Sequence, residues 1–214
     1  MILVRGFAML LVAAAFAPCA IAQDKETLPI VAVDARVAFP NFKSTPTVAT
    51  ALEVASTDLP GHGLGLAFGG HFYPWHKGIV TFGFGGEVVV SHGSKTVEPA
   101  NETAPKGPTV RTEFSSVAPQ VSLNFGKREG WSYLSGGLGW ARLTTEREDL
   151  PETASAPRVK ALNYGGGARW FATKHLAVSL DLRFYQINAQ DAVGTRPAYP
   201  KVTMVVASGG VAFK

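Results

Sequence analysis

The stretch VKALNYGGGARWFATKHLAVSLDLRFYQ, residues 159–186, decides the fold. Its second half alternates without a break. Leu176, Val178, Leu180, Leu182 and Phe184 fall on one side, and Ala177, Ser179, Asp181, Arg183 and Tyr185 on the other. A strand has a side-chain period of two, so this segment predicts a strand with one apolar and one polar face. The first half divides more loosely. Leu162, Tyr164, Ala168 and Trp170 share a face; Asn163, Gly165, Gly167 and Arg169 share its opposite. A tight turn at residues 172–175 joins the halves. A hairpin this long, with aromatics massed at its turn, predicts a wall segment of a membrane β-barrel.

The same pattern extends in both directions. Strands are predicted over residues 30–39, 62–73, 79–91, 110–125, 131–145 and 201–213, besides the two of the hairpin. Pro119 predicts a bulge or a local loss of pairing in its strand. In residues 131–145 the pattern blurs. Leu134, Leu138 and Trp140 point outward, but Arg142 shares their parity, and a bulge would repair this. The long connections are residues 40–61, 92–109, 146–158 and 187–200, and the first allows a short helix within 47–56. The short ones are residues 74–78, 126–130 and 172–175. Long and short alternate strictly, as in transmembrane barrels with short periplasmic turns and longer external loops. The expected fold is all-β: an eight-stranded antiparallel up-and-down transmembrane β-barrel.

Residues 1–22 stand apart from this pattern. Arg5 gives a positive start, an apolar run follows, and Ala20-Ile21-Ala22 is a small-x-small cleavage site. That is a cleaved signal peptide, leaving residues 23–214 as one barrel domain. Cleavage removes Cys19, the only cysteine, so no disulfide is expected. Without Arg5, 19 Lys+Arg face 16 Asp+Glu, about +3, and the charges are scattered. No basic stripe is present, so nucleic acid is not an implied partner.

Alternation alone does not say which face meets lipid. A soluble lipocalin-like carrier also has eight strands, with its apolar face inward. Three features favour an apolar exterior. Aromatics crowd the short turns: Phe72, Tyr73 and Trp75, then Phe125, Trp131 and Tyr133, then Trp170 and Phe171, with Phe213 at the end of the last strand. Rings of this kind prefer the membrane interface, which predicts a periplasmic girdle of Phe72, Tyr73, Trp75, Phe125, Trp131, Trp170, Phe171 and Phe213. The apolar runs are about the ~9–11 residues of a tilted spanning strand. The polar face mixes charges with glycine and alanine, as a narrow lumen requires. That lumen would hold Asp34, Arg36, Glu87, Arg169, Asp181 and Arg183. Opposite charges must neutralise one another when buried, so the six predict an ion-pair network that plugs the barrel.

The leader, eight amphipathic strands, turn-end aromatics and an aromatic-ended last strand resemble small outer-membrane barrels of the OmpA-like and OmpX-like type. The run from Tyr164 through three glycines to Phe171, the turn with Lys174 and His175, and the strand from Leu180 to Tyr185 resemble the last hairpin of that group. The resemblance implies a place in the outer membrane, contact with its lipid and lipopolysaccharide, and insertion by the barrel-assembly machinery, which reads the terminal strand. Here Phe213 is followed by Lys214, a departure from a terminal aromatic. No length remains for the peptidoglycan-binding domain of larger members.

Other constellations are weaker. His92 and Ser94 lie two apart, and barrel lipases that deacylate lipopolysaccharide use a His/Ser pair with an acid; Glu98 and Glu102 follow in the loop. The five histidines, at 62, 71, 76, 92 and 175, lack metal-ligand spacing, so no metal or other cofactor is expected. Gly61, Gly63 and Gly65, and Gly165 to Gly167, are not followed by a helix pattern and fail as nucleotide loops. Glu146, Glu148 and Asp149 sit beside Arg142 and Arg147, as in a solvated loop. The leading expectation is a non-enzymatic protein of envelope integrity or surface binding. The alternatives are a narrow channel for small or apolar solutes, a lipid A-modifying enzyme, and the lipocalin-like carrier. Oligomeric state leaves no trace in the sequence.

Overall fold

The period-two segments form one closed barrel in a computed structural model, which describes residues 29–99, 105–127, 130–150, 156–193 and 198–214. The signal-peptide reading of residues 1–22 lies outside the described residues. The strands are β1 (Val31–Asn41), β2 (Leu64–Lys77), β3 (Val80–Thr96), β4 (Thr109–Lys127), β5 (Gly130–Arg147), β6 (Val159–Phe171), β7 (Leu176–Ile187) and β8 (Val202–Phe213). Each pairs antiparallel with the next, and β8 returns to β1 with Val33 opposite Phe213. Closure leaves no free edge, so every strand can lie in lipid with its backbone groups paired.

The side chains sort by parity. Val33, Val37, Leu66, Phe68, Phe84, Val88, Leu134, Leu138, Val178, Leu180 and Val211 are exposed on the outer wall. So large and contiguous an apolar surface is a lipid-facing band. The charged and polar residues of opposite parity are buried inside. A lipocalin has the reverse arrangement, which removes the carrier reading.

Several details differ from the sequence expectations. The first short turn is only residues 78–79, where Gly78 has φ 63°. Pro74 instead lies within β2, at a register shift between Phe72 and Trp75 that absorbs its missing N–H. Across Pro119 the β4–β5 ladder lapses and resumes in the same register, so the proline costs pairing and not register. No bulge rescues Arg142: the offset between β4 and β5 is constant, and Arg142 lies on the outward face with Trp140. Residues 92–96, expected as loop, continue β3, and Thr96 pairs with Thr109. β3, β4 and β5 therefore have 17, 19 and 18 residues. At ~3.3 Å per residue they exceed what a bilayer needs, and a three-stranded ribbon projects on the external side.

The girdle also needs correction. Phe72, Trp75, Phe125, Trp170 and Phe213 are exposed on the outer wall at the short-turn end. Tyr73 and Trp131 are buried in the lumen, and Phe171 packs against them. Neighbours in a strand point to opposite faces, so Tyr73 cannot share a surface with Phe72, nor Phe171 with Trp170. Trp131 has the parity of Tyr133, opposite to Leu134.

The first external connection folds back over the mouth. It contains helix α1 (Pro46–Ala51) and a 3₁₀ turn at Ser56–Asp58. A six-residue helix is marginal alone, and burial of Val48, Ala49 and Leu52 holds it. Its end is a Schellman motif: Val54 N–H donates to the Ala49 carbonyl at 3.0 Å and Glu53 N–H to the Thr50 carbonyl at 3.2 Å. Glu53 occupies the left-handed position there, with φ 54°. A β-carbon is strained in that region, so Glu53→Gly is expected to stabilise the fold by roughly 1 kcal/mol. A rise in the urea midpoint in detergent micelles would show it; an unchanged or lower midpoint would refute it.

Candidate functional site: the filled lumen

Three layers fill the barrel from its short-turn end to its external mouth. The floor is aromatic. Tyr73 meets Trp131 edge-on with ring centroids 6.2 Å apart, and Phe171 lies 5.1 Å from Trp131. Lys214 Nζ sits 4.0 Å from the Phe171 ring centroid. The guanidinium of Arg169 lies 4.7 Å from the Tyr133 ring centroid and 5.6 Å from that of Trp131, joining the floor to the layer above.

The middle layer is ionic. Parity on β1, β3, β6 and β7 turns Asp34, Arg36, Glu87, Arg169, Asp181 and Arg183 inward, and all six are buried. Arg36 is the hub. Its Nη2 reaches Glu87 Oε2 at 2.5 Å, its Nη1 reaches Asp181 Oδ1 at 3.3 Å, and its Nε lies 2.7 Å from Asp34 Oδ1. That last contact does not meet hydrogen-bond geometry, so it is Coulombic in character. Arg183 Nη2 pairs with Asp181 Oδ2 at 2.9 Å and its Nε with Glu87 Oε1 at 3.2 Å. Arg169 Nη2 pairs with Asp34 Oδ2 at 2.5 Å. Three guanidiniums thus face three carboxylates.

Neutral partners supply further hydrogen bonds. Tyr133 donates to Asp181 at 2.8 Å and Tyr185 to Glu87 at 2.6 Å. Arg183 donates to Ser135 at 2.9 Å and Arg36 to Ser208 at 3.2 Å. Bulk on this scale needs absent bulk opposite. A β-carbon on Gly69 would lie 2.9 Å from Asp34 Oδ1, and one on Gly167 2.6 Å from the Tyr133 hydroxyl oxygen. The tyrosines gave no charge pattern in the sequence. Their signal is parity alone, since Tyr133 and Tyr185 alternate with outward Leu134 and Phe184.

The upper layer is apolar. Val48 and Leu52 of the α1 segment, with Phe42 and Leu59, pack against Val110, Phe114, Leu143, Tyr185, Ile187 and Met204 at the mouth. Arg147, at the end of β5, donates from Nη1 to the Leu52 carbonyl at 2.7 Å, and Lys95 of β3 donates to the Thr57 carbonyl. The fourth external connection joins this layer through Tyr199, whose hydroxyl lies 2.6 Å from Thr145 Oγ1. Burial raises the Tyr199 phenol above its ordinary range.

The remaining candidates stand elsewhere. His92 and Ser94 lie on β3 and not in a loop, exposed on the outer face, with Glu113 of β4 directly across from His92. No hydrogen bond joins His92 to Ser94 or Glu113 among the described residues. Glu102 lies outside those residues. Glu148 pairs with Arg111 at 3.0 Å and Asp149 with Arg147 at 2.7 Å; both carboxylates are exposed, whereas Arg147 is half-buried. Among the described residues no group of three or more His, Cys, Asp or Glu side chains is placed to hold a metal ion.

No family model matches the sequence, and no curated protein is similar to it in sequence. Solved structures do match the fold. Neisserial surface protein A aligns with TM-score 0.54 at 14% identity, over 87% of this chain and 97% of that one. Ail, the attachment invasion locus protein of Yersinia pestis, in complex with the heparin analogue sucrose octasulfate, aligns with TM-score 0.50 at 9% identity, over 86% and 95%. OprG of Pseudomonas aeruginosa aligns with TM-score 0.50 at 12% identity, over 86% and 94%. At these identities the likeness concerns the fold, and it agrees with the closed eight-strand order. The chain folds as a small eight-stranded outer-membrane β-barrel.

Proposed function

We propose that this barrel is a non-enzymatic protein of the envelope and cell surface, with a lumen shut by its own side chains. The observation that carries this reading is the buried, charge-balanced set of three arginines and three carboxylates spanning β1, β3, β6 and β7. Eight strands leave an interior that side chains can fill, and here aromatic, ionic and apolar layers lie in series. The leader is removed before Gln23, and the terminal strand ending in Phe213 engages the assembly machinery. The wall contacts outer-membrane lipid and lipopolysaccharide.

Ligand binding falls to the external end. The first connection is packed over the mouth, so the projecting β3–β5 ribbon and the other three connections carry it. Lys106, Arg158 and Lys201 are exposed there. Because a barrel of this fold has been crystallised with a heparin analogue, a sulfated polyanion is the first probe to try. The test of the shut lumen is conductance. The purified barrel in planar bilayers is expected to give no unitary currents. Stable single-channel steps would establish the alternative, a narrow channel for small solutes.

A further inference from the structure

The outer wall carries one polar interruption at its external edge. Across β2 to β5 the side chains fall into level rows. Phe68, Val88, Val117 and Trp140 form an apolar row. The next row toward the outside is Leu66, Val90, Ser115 and Arg142, and above it His92, Glu113 and Thr144 are paired in line. These residues border a groove of about 590 Å³, lined by Leu66, Val90, His92, Glu113, Ser115 and Arg142 among others. Apolar wall thus gives way to a cation, a hydroxyl, a histidine and a carboxylate within two rows.

Arg142 is the unusual member. It lies in register with the lipid-facing wall, yet it is half-buried, and its Nε is hidden from solvent with no hydrogen-bond partner among the described residues. A guanidinium N–H is a strong donor, and leaving it dry and unpaired is costly. Arg111, on the same groove, is already paired with Glu148. Glu113 is exposed and forms no ion pair among the described residues, so the groove presents an unpaired carboxylate beside the unsatisfied Arg142 Nε.

We propose that this groove binds a phosphorylated glycolipid of the outer leaflet. Its phosphate accepts hydrogen bonds from Arg142, with His92 as a second donor. Its sugar hydroxyls donate to the Glu113 carboxylate. Its acyl chains lie along Leu66, Val90 and the apolar row beneath. A free anion would match Arg142 but not the apolar floor, and a phospholipid without a hydroxyl or ammonium headgroup, such as phosphatidic acid, would leave Glu113 without a donor. Arg suits phosphate because its planar fork makes paired hydrogen bonds. The proposal rests on the reading that the outer wall contacts lipopolysaccharide, to which it gives a site, and is independent of whether the lumen is shut.

The test is native mass spectrometry of the full barrel in detergent, offered phosphorylated lipid A and its dephosphorylated form at equal concentration. The phosphorylated form is expected to be bound in about tenfold excess, the scale of one charge-assisted hydrogen bond. Arg142→Gln should abolish that excess, Arg142→Lys should keep part of it, and Lys77→Gln, at the far end of the wall, should leave it intact. Glu113→Gln should leave the phosphate preference but lower selection of lipid A over phosphatidic acid. Heat-modifiable gel migration verifies that each variant is folded. Equal binding of the two lipid A forms, an excess untouched by Arg142→Gln, or one lost equally in Lys77→Gln would overturn the proposal. So would full displacement by inorganic phosphate, which would reduce the groove to an anion site.

Discussion

Arg36→Ala is expected to lower the unfolding free energy of the barrel by about 3–5 kcal/mol, because it strips a buried network of the one cation that touches all three of its carboxylates. Asp34, Glu87 and Asp181 lie 2.7, 2.5 and 3.3 Å from the Arg36 guanidinium. Without it, Asp34 retains only Arg169, and Glu87 and Asp181 must share Arg183. One buried negative charge is then uncompensated. Arg36→Lys keeps the charge but cannot reach three acceptors with a planar fork, so its loss should be intermediate. Arg169→Ala should cost less than Arg36→Ala, since Arg169 pairs with a single carboxylate, although it also loses its place beside the Tyr133 and Trp131 rings. Urea titration in detergent micelles, read by the gel shift between folded and unfolded barrel, would rank the three. A loss below about 1 kcal/mol for Arg36→Ala would mean that water or protons already neutralise this layer, and the plug reading would fail.

The same experiment bears on why the charges are there at all. A hydrophobic filling of equal volume can be as stable as a buried ion cluster. An apolar interior behind an apolar wall would leave period-two strands without a signal for which face is which. A one-residue slip moves every side chain to the other face. Alternating Asp181 and Arg183 with Leu180, Leu182 and Phe184 makes such a slip expensive, since it would put bare charges in lipid. Register specification is therefore a second reading of what Arg36 contributes, and misfolded yield on refolding is its measure.

What is legible in the sequence differs from segment to segment with the physical rule that governs each. β7 was legible residue by residue because its alternation has no exceptions, and the six lumen charges were legible because parity placed them together. Tyr73, Trp131 and Phe171 fall inside because parity governs where a side chain points, while clustering at a turn says only how deep it lies. The ribbon of residues 92–96 reads as loop by its Gly, Ser and Lys content. It is strand because the β4 partner runs from Thr109 with β-branched residues in register. Such pairing is a tertiary fact that composition does not carry. Arg142 is the instructive case. Its parity matches that of Leu138 and Trp140, and the unbroken register, with no bulge, leaves it on the wall. The packing of Val48, Leu52 and Leu59 over the mouth had no local signal beyond a weak helix pattern, because its apolar partners come from β4, β5, β7 and β8.

That cover yields the other large effect. Replacing residues 45–59 by a short glycine-serine link should leave a folded barrel, because Asn41 and His62 already pair as a bridge and hold the ends of β1 and β2 together. It should remove the burial of Val48, Leu52 and Leu59, each worth about 1.5–3 kcal/mol, and expose the apolar mouth lined by Phe114, Tyr185 and Met204. A fluorescent apolar dye that ignores the intact barrel should then bind it. Leu52→Ala should give a milder version, at about 2–5 kcal/mol. Arg147→Ala should loosen the cover without emptying it, since the hydrogen bond to the Leu52 carbonyl is lost but the apolar side chains stay. The uncovered barrel should still pass no current, because the ionic and aromatic layers beneath are untouched. The two readouts separate the layers: dye binding without conductance places the seal below the cover. Unitary currents from the uncovered barrel alone would make the cover the gate and the charged layer a lining, and dye binding unchanged from the intact barrel would mean the mouth has collapsed on its own.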